Sequence, residues 1–92
     1  MTTSFALPQF NLNGTSPSSV EDEYNEAMIL VRKAREAVAS CTCHPRDFQF
    51  QSLDVFRQAA DQRQQQLRSL DQVLDYLEAW YWKAVDSNPD HS

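Results

Sequence analysis

LDVFRQAADQRQQQLRSLDQVLDYLEAWYWKA, residues Leu53 to Ala84, decides the fold. Within it Leu53, Phe56, Ala60, Arg63, Leu67, Leu70, Leu74, Leu77, Tyr81 and Ala84 follow one another at alternating steps of 3 and 4. That rhythm draws one stripe along an α-helix, the a/d seam of a coiled coil, for four and a half heptads. Arg63 alone breaks its apolar character. Beside the seam the first half is polar, with Gln62, Gln64, Gln65 and Gln66, whereas Val73, Tyr76, Trp80, Trp82 and Val85 widen it in the second half. At 1.5 Å per residue the helix is about 50 Å long.

A second helix precedes it. Val20, Tyr24, Ala27, Val31, Ala34 and Val38 repeat the same spacing, and Met28, Ile29, Leu30 and Ala37 carry apolar character onto further sides. Its start is marked by Ser16-Pro17-Ser18-Ser19. Either Ser16 is the N-cap, with Pro17 at the first helical position, or Ser18 caps with Glu21 three residues on. Glu21, Asp22, Glu23 and Glu26 suit the positive end of the helix dipole. Pro45 disfavours helical geometry at His44, so the helix is expected to end near Cys41.

The organisation that follows is all-α, an antiparallel two-helix hairpin with an extended N-terminal arm. Residues 1–16 form the arm, with Phe5, Leu7, Phe10 and Leu12 on one side, interrupted by Pro8. Residues 17–87 form the hairpin, helix 1 over about 17–41, a turn over 42–52 and helix 2 over about 53–87; residues 88–92 are a flexible tail. One seam covers one side of each helix, and both helices have other apolar sides. The hairpin is therefore expected to assemble into a helical-bundle oligomer.

Bulk properties fit. The chain has 92 residues, 41% hydrophobic and 23% charged, with a single glycine. Its net charge of −5 disfavours nucleic-acid polymers and anionic membrane surfaces as partners. It lacks an apolar run near 18 residues, and MTTSFALPQF lacks the basic and apolar regions of a secretory signal, so a cytoplasmic location is expected.

The chemistry-bearing motifs are few. Cys41-Thr42-Cys43-His44 has one residue too few between its cysteines for the usual zinc or haem spacings, and reduced thiols are expected there. Glycine-rich phosphate loops and hydrolase signatures are absent, so the chain is read as non-enzymatic, with no metal and no cofactor.

Three places remain as binding candidates. Arg63 sits in the seam; pairing that sets Cys41 opposite Leu53 puts it level with Val31, among Arg32, Lys33, Arg35, Arg57 and Arg68. Such a basic waist suits either a register-fixing ion pair or a phosphate. Arg46 stands in the turn beside Asp47, a candidate cap for a short turn, and Phe48. Finally Asn13-Gly14 is a turn signal, with Gly14 free to take positive φ. The turn leads Thr15 and Ser16 into a helix N-terminus, where unpaired N–H groups favour anions, beside Trp80 and Tyr81 as stacking faces. Asn13, Gly14, Thr15, Ser16, Tyr24, Arg46 and Arg63 are accordingly the expected ligand-binding residues.

Asn13-Gly14-Thr15-Ser16, Tyr24 and Arg46-Asp47-Phe48 before a long second helix together resemble small phage-encoded helical-hairpin proteins. The layout is also similar to phage nucleotide-sequestering sponges, which oligomerise and remove the cyclic nucleotides of bacterial immunity. The resemblance implies a self-associating, anti-defence protein of the host-cell cytoplasm that binds a small anionic ligand, plausibly a signalling nucleotide. The alternative is a protein–protein interaction or virion-assembly component with no small-molecule ligand.

Overall fold

A serine followed by a proline sets the start of the first helix. In the computed structural model, which describes residues 5–11 and 13–89, α1 spans Pro17–Ala39. Ser16 is the N-cap, its backbone extended and its Oγ accepting the Ser19 N–H at 3.2 Å. Ser16 prevails over Ser18 because Pro17 at the first position already holds a helical φ and has no N–H to leave unpaired. At the other end Ser40 closes α1, its N–H reaching the carbonyls of Glu36 and Ala37 and its Oγ donating to Glu36 at 2.9 Å.

His44 is extended, with φ −125° and ψ 144°, as a residue before proline should be. Pro45–Phe48 then forms one 3-10 turn. Its cap is His44, whose Nδ1 accepts the Arg46 N–H at 3.2 Å, and not Asp47, which lies inside the turn's first residues. The long helix α2 spans Leu53–Ser87, the bounds its seam predicts. Among the described residues there are no strands.

The helices pack as a hairpin, but not in the expected register. Arg35 faces Asp71, Arg32 faces Glu78, Tyr24 lies on Trp80 and Glu21 meets Asn88. This is between three and four helical turns away from a pairing that sets Cys41 opposite Leu53. The first turns of α2 project past the end of α1, and the connecting residues run beside them, with Phe48 edge-on to Phe56 at 5.7 Å. The basic waist is thereby broken up: Arg32 and Arg35 face acids of α2, and Arg63 lies at the C-terminal end of α1.

Burial follows the α2 seam closely. Leu67 and Ala84 are buried, the other seam residues from Phe56 to Tyr81 are half-buried, and Leu53, at the projecting start of α2, is 58% exposed. On α1 the packed row is Val20, Tyr24, Met28, Val31, Arg35 and Val38, with Ala34 left outside. Arg35 replaces Ala34 in that row because its guanidinium spans to Asp71.

N-terminal to the helices, residues 5–11 carry no regular structure, and Phe5 meets Tyr76 edge to face, centroids 5.4 Å apart. Phe5, Pro8 and Phe10 are half-buried, whereas Leu7 is 41% exposed, so the inward side is not the one expected. Pro8 takes the inward place because its ring is apolar and fixed. Leu12 and the tail beyond Pro89 lie outside the described residues.

The resulting body is a rod of 63 × 25 × 20 Å with a radius of gyration of 18.9 Å. A compact domain of this length has a radius of about 12 Å. No described helix is long and apolar enough to cross a membrane.

Candidate functional site

The richest surroundings in the molecule lie where the start of α1, the end of α2 and the N-terminal segment converge. Tyr24 and Trp80 stack almost parallel, 3° apart in plane and 5.1 Å between centroids. Tyr76 continues the cluster, tilted against Trp80 at 6.3 Å and covered by Phe5. Two large rings buy area and orientation together, which suits an end where α1 begins and has little else to bury. Burial, and then the neighbouring Tyr76 hydroxyl, push the Tyr24 phenol above its ordinary value.

Pro8, Gln9, Phe10, Asn11, Gly14, Thr15, Val20 and Trp80 line a half-open cavity of about 260 Å³. A second hollow of about 280 Å³ adjoins it, between Phe10, Asn11, Pro17, Ser87 and Pro89. The Trp80 indole N–H is buried with no acceptor. An orphaned donor costs about 1–3 kcal/mol, and the ring stays there because Tyr24 and Tyr76 cover its faces and edge.

The Asn11–Gly14 turn frames this cavity. Asn13 donates its N–H to Asn11 Oδ1 at 2.9 Å, and Gly14 donates to the Asn11 carbonyl at 3.3 Å. Asparagine at the first position and glycine at the fourth are the residues such turns favour. Positive φ is not involved: Gly14 has none, and a Cβ built on it would stand 3.6 Å from Asn11 Oδ1, ordinary contact. The turn is closed by asparagine, and the expected left-handed glycine is absent.

The helix N-terminus next to it is less open to anions than its sequence promises. Pro17 has no N–H, Ser19 gives its own to Ser16 Oγ, and Val20 gives its own to the Ser16 carbonyl. No lysine or arginine is among the residues lining either hollow.

The expected site residues therefore separate into two groups. Gly14 and Thr15 line the cavity, with Asn13 in the Asn11–Gly14 turn, Ser16 at the N-cap of α1 and Tyr24 stacked behind Trp80. Tyr81 and Trp82 stand at 80° to one another, with ring centroids 5.1 Å apart. Arg46 and Arg63 are at the opposite end. Arg63 Nη1 donates to the Cys41 carbonyl at 2.6 Å and to the Ala39 carbonyl at 3.4 Å, so it satisfies carbonyls that end α1. From Arg63 to Trp80 the rise along α2 is about 26 Å. One chain cannot close both groups on one small ligand.

Sequence reasoning missed the pair that fixes the register. Arg35 binds Asp71 with both prongs, Nε to Oδ1 at 2.6 Å and Nη2 to Oδ2 at 3.2 Å. Its partner raises the Arg35 pKa further above its ordinary value. The signal was present: Arg35 stands at a 3–4 position of the α1 stripe, so a carboxylate was due opposite it. Asn88, 7% exposed at the end of α2, donates to Glu21 Oε2 at 3.2 Å and ties the two helix ends together.

Cys41 and Cys43 are unbonded to each other, and Cys41 Sγ donates to the Ala37 carbonyl at 3.3 Å. Among the described residues no three of His, Cys, Asp and Glu gather closely enough to hold a metal ion. No family model matches the chain, and no curated protein and no solved structure matches it either.

Proposed function

We propose that this chain is a non-catalytic interaction hairpin that completes its core by self-association. One observation carries this: the chain alone has too little interior. Val20, Met28, Leu67 and Ala84 are its buried apolar residues among those described, and no large side chain is fully buried. Its accessible surface is 7061 Å², against about 5,500 Å² for a folded monomer of this mass. The surplus of about 1,500 Å² per chain is what a homodimer interface removes. Sedimentation equilibrium tests it. A mass near twice 10.6 kDa, with a melting temperature that rises with protein concentration, supports the proposal. A single-chain mass at all concentrations overturns it.

A second reading is favoured by the cavity at Gly14, Thr15 and Trp80. Under it, a phage-type protein of the host-cell cytoplasm sequesters a small anionic ligand, a signalling nucleotide, and blunts a host defence. The cavity has the apolar wall and hydroxyl that a nucleoside needs; the cations have to come from elsewhere, such as Arg46 of another copy. A thermal-shift panel of cyclic and ADP-ribose nucleotides decides it. At a hundredfold excess over the dissociation constant the gain is about 2.7 kcal/mol, and no shift with any of them discards this reading.

A further inference from the structure

Helix α1 carries two apolar rows, and α2 takes up one of them. Ala27, Leu30, Ala34 and Ala37 form the other, about a quarter-turn round the helix from the packed row and again spaced 3 and 4 apart. Ala27 is half-buried; Ala34 and Ala37 are exposed and Leu30 is 54% exposed. Val20 and Trp80 wall the same cavity. Heptad steps from Val20 lead to Ala27 and Ala34, and a heptad step back from Trp80 leads to Val73, 43% exposed. Both rows thus border one side of the hairpin. Phe5 meets Tyr76 on that side, and beyond it, towards the 3-10 turn, the row lies open among the described residues. The other side of the hairpin carries the ion pairs of Arg32 with Glu78 and Arg35 with Asp71, with Ile29 and Trp82, 37% and 57% exposed, one helical turn from Arg32 and Glu78.

We propose that the occupant of this open row is the same row of a second copy, antiparallel about a two-fold axis near Ala34, giving a four-helix bundle. The proposal rests on the self-association reading and says where it happens. Three arguments favour a second copy. The surplus surface per chain matches what a homodimer interface buries. One leucine among three alanines at 3–4 spacing is self-complementary, since Leu30 of one copy packs over the small side chains of the other, and those small residues let the backbones approach. A two-fold pairing also uses one surface twice and closes, leaving no apolar row to propagate a fibre. It has a consequence for the cavity as well. The 3-10 turn of one copy comes level with the Thr15–Ser16 end of the other, so Arg46 and the cavity rim, far apart in one chain, approach each other in the pair.

The test is the mass by light scattering of the full chain and of Ala34→Glu. The wild type should give two chain masses and Ala34→Glu one, a twofold fall, with the helical circular-dichroism signal retained because Ala34 is already exposed in the single chain. Trp82→Ser and Leu53→Ser, at exposed apolar positions off the row, should keep the dimer mass. A single-chain wild type overturns self-association and the seam together. An oligomer that Ala34→Glu leaves intact overturns the seam and spares self-association. Should Ala34→Glu lose its helicity, cross-linking decides instead. With Cys41→Ser and Cys43→Ser in place, a short bismaleimide should trap a covalent dimer through Ala34→Cys and none through Asn25→Cys, which lies one heptad before Arg32 on the ion-paired side. Dimer from both positions, or from neither, overturns the seam.

Discussion

The two ends of the rod share one long helix and one seam spacing, yet they are held by different forces. At the aromatic end Tyr24 lies flat on Trp80, Phe5 stands on Tyr76, and Val20 and Ala84 are 6% and 0% exposed. At the turn end Phe48 touches Phe56 by an edge, Phe50 is 93% exposed, and Arg63 caps α1 through its carbonyls. The difference teaches that a seam prescribes which face is apolar and not what covers it. The last turns of α2 gain α1 and the N-terminal segment together, whereas the first turns have a short connecting stretch. Burial follows the number of layers, and stability should follow burial.

Unequal truncations break or sharpen this comparison most directly. Trp80→Ala should cost about 3 kcal/mol, losing the stack on Tyr24 and the contact with Tyr76. Phe56→Ala, in the same helix but with one ring neighbour at 5.7 Å, should cost less than half as much. Urea unfolding followed by circular dichroism at one protein concentration checks both. Equal losses would mean that the turn end is packed as well as the aromatic end, and the contrast between them would disappear.

A smaller effect is expected from Arg63→Met. Methionine keeps most of the stem and its packing against α1 but removes both hydrogen bonds to the Cys41 and Ala39 carbonyls. The loss should be about 1 kcal/mol and local. Amide exchange should quicken at Ser40 and Cys41, whose N–H groups close the last turn of α1, and stay unchanged around Tyr24. If instead the whole hairpin loosened, Arg63 would be setting register and not capping a helix end.

These residues also show how far the sequence could be read. The hairpin, the bounds of α2 and the Ser16 or Ser18 choice of cap were legible, because periodicity and capping are local properties. Axial offset was not. A heptad seam looks the same after each slide of seven residues, so the leucines name a face and leave the register open. Arg35 and Asp71 break that degeneracy, and a thirteen-residue connection (residues 40–52) is long enough to permit the slide. The candidate site was half legible for a similar reason. The antiparallel course of the chain brings Gly14 and Thr15 beside Trp80. Arg63 was misplaced because its neighbours depended on the register.

The smallest effect expected is at the chain's one glycine, and it is also the most discriminating. In the single chain Gly14 has no positive φ, and its missing Cβ would meet nothing closer than Asn11 Oδ1 at 3.6 Å. An alanine there fits the native backbone and restricts the unfolded chain, so Gly14→Ala should raise stability by about 0.5 kcal/mol. Thermal unfolding at a low protein concentration measures the turn itself. Repeating it at high concentration, and with a nucleotide panel, asks whether anything else needs that surface bare. A gain at low concentration that turns into a loss at high concentration would place the partner copy against Gly14, as expected if the 3-10 turn of one chain approaches the cavity of the other. A loss under every condition would show that the turn at the aromatic end is held more tightly than Asn11 and its two hydrogen bonds account for.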